Sequence, residues 1–401
     1  MIKEILSIAN LPQILNFIKP FLTHNHLEYI KNSINRFRLC RDTKAGFIKY
    51  SCTECGHYHT IPITCKSRLC PSCGFKYSTT WTQKMTNDIL NVPHRHILFT
   101  IPEELRPFFF YDRELLSKLA SAVNKTLEYQ FHNIYKKNNR KIKVPKSSPD
   151  YFTNSDIVNY GLITVIHTFG RDLKWNPHIH ALVSLGGFTK NFIFKKLDYF
   201  HVSSIAGQWK YHVLNIVKNG NYPNLKIKNL ALKTVSKLYK ENKRFFFNVG
   251  SGNVNSPKGI VKYLGRYLAH APIAEYKIVN YDNKKVTFFF NDLADNKKKK
   301  YVTMDIDKFV QQILIHLPPR NFKMINRFGF YARNITTKLK DTVKKYKKKF
   351  SKSEYSFYVK QSIDTFDVHP FMCPYCKIMM DIQEIYVSAD WYGRTIHKIY
   401  F

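Results

Sequence analysis

Residues 161–185 read GLITVIHTFGRDLKWNPHIHALVSL, and no other stretch limits the possible folds as tightly. Two apolar runs, Gly161–Ile166 and Ala181–Leu185, flank a polar segment that is broken by Gly170 and by Asn176-Pro177. Strand-forming runs separated by breakers predict an antiparallel hairpin, here with a loop of about ten residues. Residues i and i+2 of a strand share a face, so His178 and His180 point the same way. His167 ends the incoming strand and can sit across from the start of the outgoing one. Three imidazoles on one face suit a divalent metal with positions left open for a substrate. The competing reading is a solvated His-x-His pair, which arises readily by chance in a chain with 16 histidines.

The eight cysteines are clustered, with six between residues 40 and 73 and a last pair at Cys373 and Cys376. The N-terminal stretch is amphipathic and has no small-residue cleavage site, so it does not read as a secretion signal. A cytosolic chain rarely holds disulfides, and the spacing therefore points to metal. Cys52-x-x-Cys55 and Cys70-x-x-Cys73 are two knuckles separated by 14 residues. Four thiolates so spaced can close one tetrahedral structural zinc site. Gly56 and Gly74 follow the knuckles, where a tight turn favours positive φ. Cys65, His57 or His59 could replace a ligand or join a second site. Cys40 reads equally well as a buried apolar thiol. Cys373 and Cys376 supply half of a zinc site and need partners such as His369, Cys65 or Cys40.

Charge narrows the class of partner. The chain has 64 Lys and Arg against 28 Asp and Glu, a formal charge of +36. A basic excess spread along 401 residues favours an extended polyanion, most simply nucleic acid. No apolar run approaches the ~20 residues of a membrane span, which argues against an integral membrane protein. The shortage of acids also disfavours a carboxylate-based nuclease.

The remaining elements follow from periodicity. Residues 1–39 read as helical, with Ile5, Ile14, Ile18, Tyr29, Ile30 and Ile34 as apolar positions, and 76–91 as a further helix. His94–Pro102 reads as a buried strand. It carries a second His-x-His, His94 and His96, which lacks an obvious third ligand and suits a core or phosphate-facing role better. Residues 112–137 read as an amphipathic helix, 190–217 and 225–242 as two more, 244–249 as a short strand, 276–304 as a hairpin and 305–316 as a helix. Thr337–Lys352 is rich in lysine, which suits tracking of phosphates or simply a solvated face. Ser256-Pro257 is a good helix start. On that helix Tyr263 and Tyr267 are i and i+4 and share a face, flanked by Lys262 and Arg266. Such a pair alone is more often core packing than chemistry. Beside a metal-binding hairpin it gains meaning, because a tyrosine can attack a phosphodiester and store the bond as a phosphotyrosine.

Five separated segments, CKSRLCPSCG, HRHILFTIP, HTFGRDLKWNPHIHALVSLGG, YLGRYLAHAPIA and HLPPRNFKMINRFGFYA, together resemble the two-tyrosine HUH transposases of bacterial rolling-circle insertion sequences, relatives of the Helitrons. The resemblance covers roughly residues 30–335. It implies an α+β fold in which an HUH nuclease palm, a central antiparallel RRM-like sheet with helices, joins an N-terminal helical and zinc-binding region and a small basic C-terminal region. The expected boundaries are 1–90, 91–335 and 336–401. The resemblance further implies His178 and His180 as the HUH pair, His167 as third ligand of a catalytic Mg²⁺ or Mn²⁺, and Tyr263 and Tyr267 as nucleophiles. Lys262 and Arg266 would bind phosphate. Structural Zn²⁺ would be held among Cys52, Cys55, Cys70 and Cys73, with Cys65, Cys373 and Cys376 as further candidates. The C-terminal knuckle resembles the family's end, whereas the lysine-rich segment before it is less typical.

The implied partners are single-stranded DNA at element ends, target DNA and host replication proteins, in a bacterial cytoplasm at the nucleoid. Two readings compete. A plasmid or phage replication initiator or relaxase would use the same chemistry, although the zinc region argues against it. A non-catalytic zinc-dependent DNA-binding protein would tolerate loss of the three histidines and two tyrosines.

Overall fold

The computed structural model describes residues 1–142, 159–189, 191–197, 200–241, 244–250, 259, 271–292, 295–347, 359, 362–363, 368–388 and 397–400. The fold is α+β. It divides into two compact units, and each draws on separate parts of the chain. The first comprises Met1–Thr80, Ala269–Arg320 and Lys349–Phe401, and the second Trp81–Leu268 and Asn321–Lys348. The expected boundaries were consecutive, whereas the units interleave. The cause is strand pairing between residues far apart in sequence, a relation that local periodicity does not report.

In the first unit, helices α1 (Ile2–Ile8), α2 (Leu11–Ile18) and α3 (His24–Arg38) fill the N-terminal stretch, as the periodicity implied. Thr23 caps α3 by accepting a hydrogen bond from the His26 N–H at 3.3 Å, which satisfies one of the otherwise unpaired first-turn donors. Strands β1 (Gly46–Ser51) and β2 (Tyr58–Pro62) form a hairpin that carries Cys52 and Cys55 in its turn. Strand β12 (Asp381–Val387) pairs antiparallel with the other edge of β1, and β13 (His397–Tyr400) pairs with β12. A second sheet is a meander of β8 (Ile278–Tyr281), β9 (Lys285–Asp292) and β10 (Lys298–Asp305), where sequence reading expected a two-stranded hairpin. Helix α9 (Ile306–Ile315) packs on this meander and against α1 and α2, and Phe288 meets Phe309 with ring centroids 5.9 Å apart. The buried His26 ring donates from Nε2 to the Leu317 carbonyl at 2.9 Å.

The second unit is built around a six-stranded antiparallel sheet. Its order is β11 (Ile325–Gly329), β4 (Asn159–Phe169), β5 (Trp175–Phe188), β3 (His94–Thr100) and β7 (Phe247–Val249), with β6 (Phe194–Lys196) also paired to β5. β5 is buried along nearly all its length because both faces are covered. One face, carrying Ile97, Phe99, Leu162, Ile166, Ile179, Ala181 and Val183, packs on helices α6 (Glu114–Ile142), α7 (Val202–Lys218) and α8 (Leu225–Lys240). Trp209 anchors this core, and its indole N–H donates to the Thr100 carbonyl at 2.8 Å. The opposite face carries Ile163, Val165 and Leu182, covered by Met85, Ile89, Phe330, Tyr331, Leu339 and Val343. Leu339 and Val343 lie on α10 (Thr337–Tyr346), within the lysine-rich segment. Gly329 makes the turn that sends Phe330 and Tyr331 inward. Its φ is +59°, and a Cβ there would lie 1.7 Å from the Tyr160 carbonyl oxygen. The helix expected over 190–217 is shorter, since residues 194–196 continue the sheet instead.

Candidate functional site

The loop of the central hairpin is five residues long, Gly170–Lys174, half of the length expected. It closes through the Gly170 N–H, which donates to the Lys174 carbonyl at 2.8 Å. Asn176-Pro177 was expected to lie in the loop. It falls inside β5 where the pairing register slips between His167 and Phe169, an irregularity that accommodates a proline lacking an N–H. The Trp175 indole N–H fixes the hairpin by donating to the Arg106 carbonyl at 2.9 Å.

This register places His167 directly opposite His178, and Val165 opposite His180. All three imidazoles therefore emerge on the same face as Val165 and Leu182, beyond the edge of the apolar cover. Ring centroids are separated by 5.4 Å for His167 and His178, 4.9 Å for His167 and His180, and 5.0 Å for His178 and His180. One nitrogen from each lies within 4.8 Å of the other two, close enough to share an ion. The His178 Nδ1–H donates to the Asn176 carbonyl at 2.7 Å, which leaves Nε2 as a lone-pair donor.

Burial keeps the His178 and His180 rings neutral. Burial lowers the His178 pKa to about 4. The His180 pKa is also driven down, first by burial and then by the neighbouring His167, His178 and His96 rings. A metal requires the unprotonated imidazole, so His178 and His180 are already in their ligating form at neutral pH. With three ligands and no fourth among the described residues, the arrangement is an open site suited to a substrate oxygen.

The second His-x-His separates into two roles. His94 is fully buried and donates from Nδ1 to the Val92 carbonyl at 2.7 Å. Its Nε2 accepts from the Tyr331 hydroxyl at 2.7 Å, so it belongs to the core. His96 stacks on His180, with His96 Nε2 3.1 Å from His180 Nδ1. If His180 ligates through Nε2, its Nδ1–H donates to His96, and His96 then fixes the tautomer. Sequence reasoning missed this role, because the β3–β5 register that creates the contact has no local signature.

The cysteines were expected to unite their two N-terminal knuckles, and here the structure corrects the grouping. Cys70 and Cys73 join Cys65 and Cys40, all buried; Cys52 and Cys55 join Cys373 and Cys376. Cys40 is a member of a thiol cluster and not an isolated apolar thiol. Its Sγ lies 3.9 Å from that of Cys70 and 3.7 Å from that of Cys73, and Cys65 Sγ lies 3.5 Å from Cys73 Sγ. Zinc–sulfur bonds of about 2.3 Å give a tetrahedron with edges of about 3.8 Å, so this set fits structural zinc. The Cys65 N–H points at Cys40 Sγ (3.3 Å) and the Ser67 N–H at Cys65 Sγ (3.4 Å), a backbone environment that stabilises thiolates. Gly74 does not adopt the expected positive φ, because Cys70 and Cys73 open helix α4 (Pro71–Asp88). Gly56 does, at +69°.

Residues 161–338 match the family described as "Putative transposase", and residues 13–101 match the family described as "Transposase zinc-binding domain". The transposase for insertion sequence element IS801 of Pseudomonas savastanoi pv. phaseolicola is 26% identical over 315 residues, covering 76% of this chain and 70% of the relative. The "Putative transposase y4qJ" of Sinorhizobium fredii (strain NBRC 101917 / NGR234) is 22% identical over 312 residues, covering 73% and 72%. The chain thus matches transposase families in two separate stretches and resembles an insertion-sequence transposase over about three quarters of its length. No solved structure matches this chain. Among its described residues, no helix is long and apolar enough to cross a membrane. Tyr263, Tyr267, Lys262 and Arg266 lie outside the described residues.

Proposed function

We propose that this chain is a transposase that nicks single-stranded DNA at the ends of its element and rejoins the strands in rolling-circle transposition. The observation that carries the reading is the convergence of His167, His178 and His180 on one sheet face, with their donor nitrogens within 4.8 Å of one another. Mg²⁺ or Mn²⁺ bound there would polarise the scissile phosphate and hold it in line. The protein's own groups supply the rest. The Tyr263 or Tyr267 oxygen, losing its proton, attacks phosphorus. The bond from phosphorus to the 3′ oxygen breaks, the departing oxygen takes up a proton, and a 5′-phosphotyrosine remains. A 3′-hydroxyl on another strand then attacks the same phosphorus and expels the tyrosine. Two tyrosines permit two such linkages in turn without release of the DNA. Lys262 and Arg266, each one residue before a tyrosine, would neutralise the phosphate. The +36 charge supports binding of DNA at the ends and target.

The test uses oligonucleotides carrying an element end, with Mg²⁺ or Mn²⁺. The wild-type chain should leave a covalent protein–DNA adduct, and the Tyr263→Phe/Tyr267→Phe double variant should leave none. Undiminished cleavage by the double variant would remove tyrosine from the mechanism. Nicking without transfer between element ends would favour a replication initiator or relaxase.

A further inference from the structure

We propose that Cys52, Cys55, Cys373 and Cys376 hold a second structural zinc ion, separate from the one suited to Cys40, Cys65, Cys70 and Cys73. The zinc-binding family match ends at residue 101 and so leaves Cys373 and Cys376 outside it. The inference does not rest on the nuclease reading.

Three observations support it. All four sulfurs lie within 4.8 Å of one another, and none is in a disulfide. Cys55 Sγ is 3.7 Å from Cys373 Sγ, although 318 positions separate them; this is the edge of a zinc–thiolate tetrahedron. The two knuckles also share one backbone design. In the first, the Cys52 N–H donates to the His57 carbonyl at 2.8 Å, and the Gly56 N–H donates back to the Cys52 carbonyl at 3.0 Å. In the second, the Cys373 N–H donates to the Ile378 carbonyl at 2.9 Å, and the Lys377 N–H donates back to the Cys373 carbonyl at 3.1 Å. The residue after each second cysteine is left-handed, Gly56 at φ +69° and Lys377 at φ +56°. A lysine adopts that conformation at a cost, which a shared ion offsets. The Cys376 N–H points at Cys373 Sγ at 3.5 Å, as a backbone donor to a thiolate does.

Its surroundings fit a structural ion. Four thiolates leave no open position for a substrate. Tyr50, Ile61 and Met380 pack around Cys52 and Cys373 in a small apolar cluster, too small to hold the two knuckles by itself. The ion would complete a joint that the β1–β12 ladder begins, and make the C-terminal segment part of the first unit.

The experiment is metal analysis of the full chain carrying His178→Ala, which takes the histidine site out of the count. Two zinc ions per chain are expected, falling to one in a Cys373→Ser/Cys376→Ser variant. A single ion before the cysteine substitutions, or two after them, would overturn the proposal. If that variant does not fold, thiol alkylation of the wild-type chain decides. Cys55 is exposed, so it should react within minutes after chelation and at least tenfold more slowly with zinc bound. Equal reactivity with and without zinc would refute ligation.

Discussion

The histidine cluster and the thiol clusters place their donors equally close together, yet they are built for opposite purposes. The histidines stand at two neighbouring register positions on one face of the β4–β5 pair, and their positions follow from strand pairing whether or not an ion is present. The thiols stand on turns, loops and the first turn of α4, so their positions depend on the ion. The sheet site has three donors and an open side. Each thiol site has four and is closed. Ligand number and the stiffness of the supporting backbone thus distinguish a place for chemistry from a staple.

The sharpest way to break this contrast is to remove one ligand from each. Cys70→Ser should unfold the first unit, because a structural zinc contributes on the order of 10 kcal/mol at such a site. Loss of its cooperative thermal transition would show this. A variant that melts as the wild type does would make the buried thiols an ordinary core. His178→Ala should leave both units folded and reduce cleavage by about 10³-fold, since a Lewis-acid ion supplies several kcal/mol of transition-state stabilisation. Circular dichroism and an oligonucleotide cleavage assay together check the pair of outcomes. Unfolding by His178→Ala would erase the distinction.

A smaller effect concerns pH. Burial lowers the His94 pKa to about 4, from an ordinary value of 6.5. The unfolded chain binds a proton there below pH 6.5, while the folded chain does not until about pH 4. Stability is therefore complete above pH 6.5 and lost as pH falls toward 4, with roughly 3 kcal/mol from this group. Urea unfolding of the wild type against His94→Gln should show a shallower acid slope in the variant. Equal slopes would show that His94 is not neutral in the fold.

His96→Asn should weaken Mn²⁺ binding by about 10–100-fold with the fold intact, the usual size of an outer-sphere effect on a ligating imidazole. Titration calorimetry of the two proteins tests this, and unchanged affinity would make the contact with His180 incidental. The smallest effect is a gain. Lys377→Gly should stabilise the first unit by up to about 1 kcal/mol, because glycine accepts φ of +56° without strain. A lower melting temperature would indicate that the lysine side chain contributes to the knuckle.

The two kinds of site were not equally legible in the sequence. The hairpin was, because two apolar runs flank a polar segment, and residues two apart on a strand share a face. Its loop was overestimated because Asn176-Pro177 usually breaks a strand, whereas here a bulge absorbs it. The helices of residues 1–39 and α9 were visible from their apolar spacing. The grouping of cysteines was not. Two knuckles near each other in sequence suggested a shared ion, but β12 brings Cys373 and Cys376 to the first knuckle, and α3 ends where Cys40 can meet the second. His96 was hidden for the same reason, since its neighbour lies across a strand pair 84 positions away.

The pairing of β1 with β12 also sets an order of events during synthesis. Strand β1 leaves the ribosome early, and its partner follows only after residues 52–380 have been made. At about 5–20 residues per second, that interval is on the order of 15–70 s. Throughout it one edge of β1 stays unpaired, and Cys52 and Cys55 lack two of their neighbours. A chain stopped short of Cys373 would never complete its first unit, however well its central sheet had formed. Fragments from aborted translation are therefore not small versions of the protein, and only a chain that extends past Cys376 and β12 carries both halves of that joint.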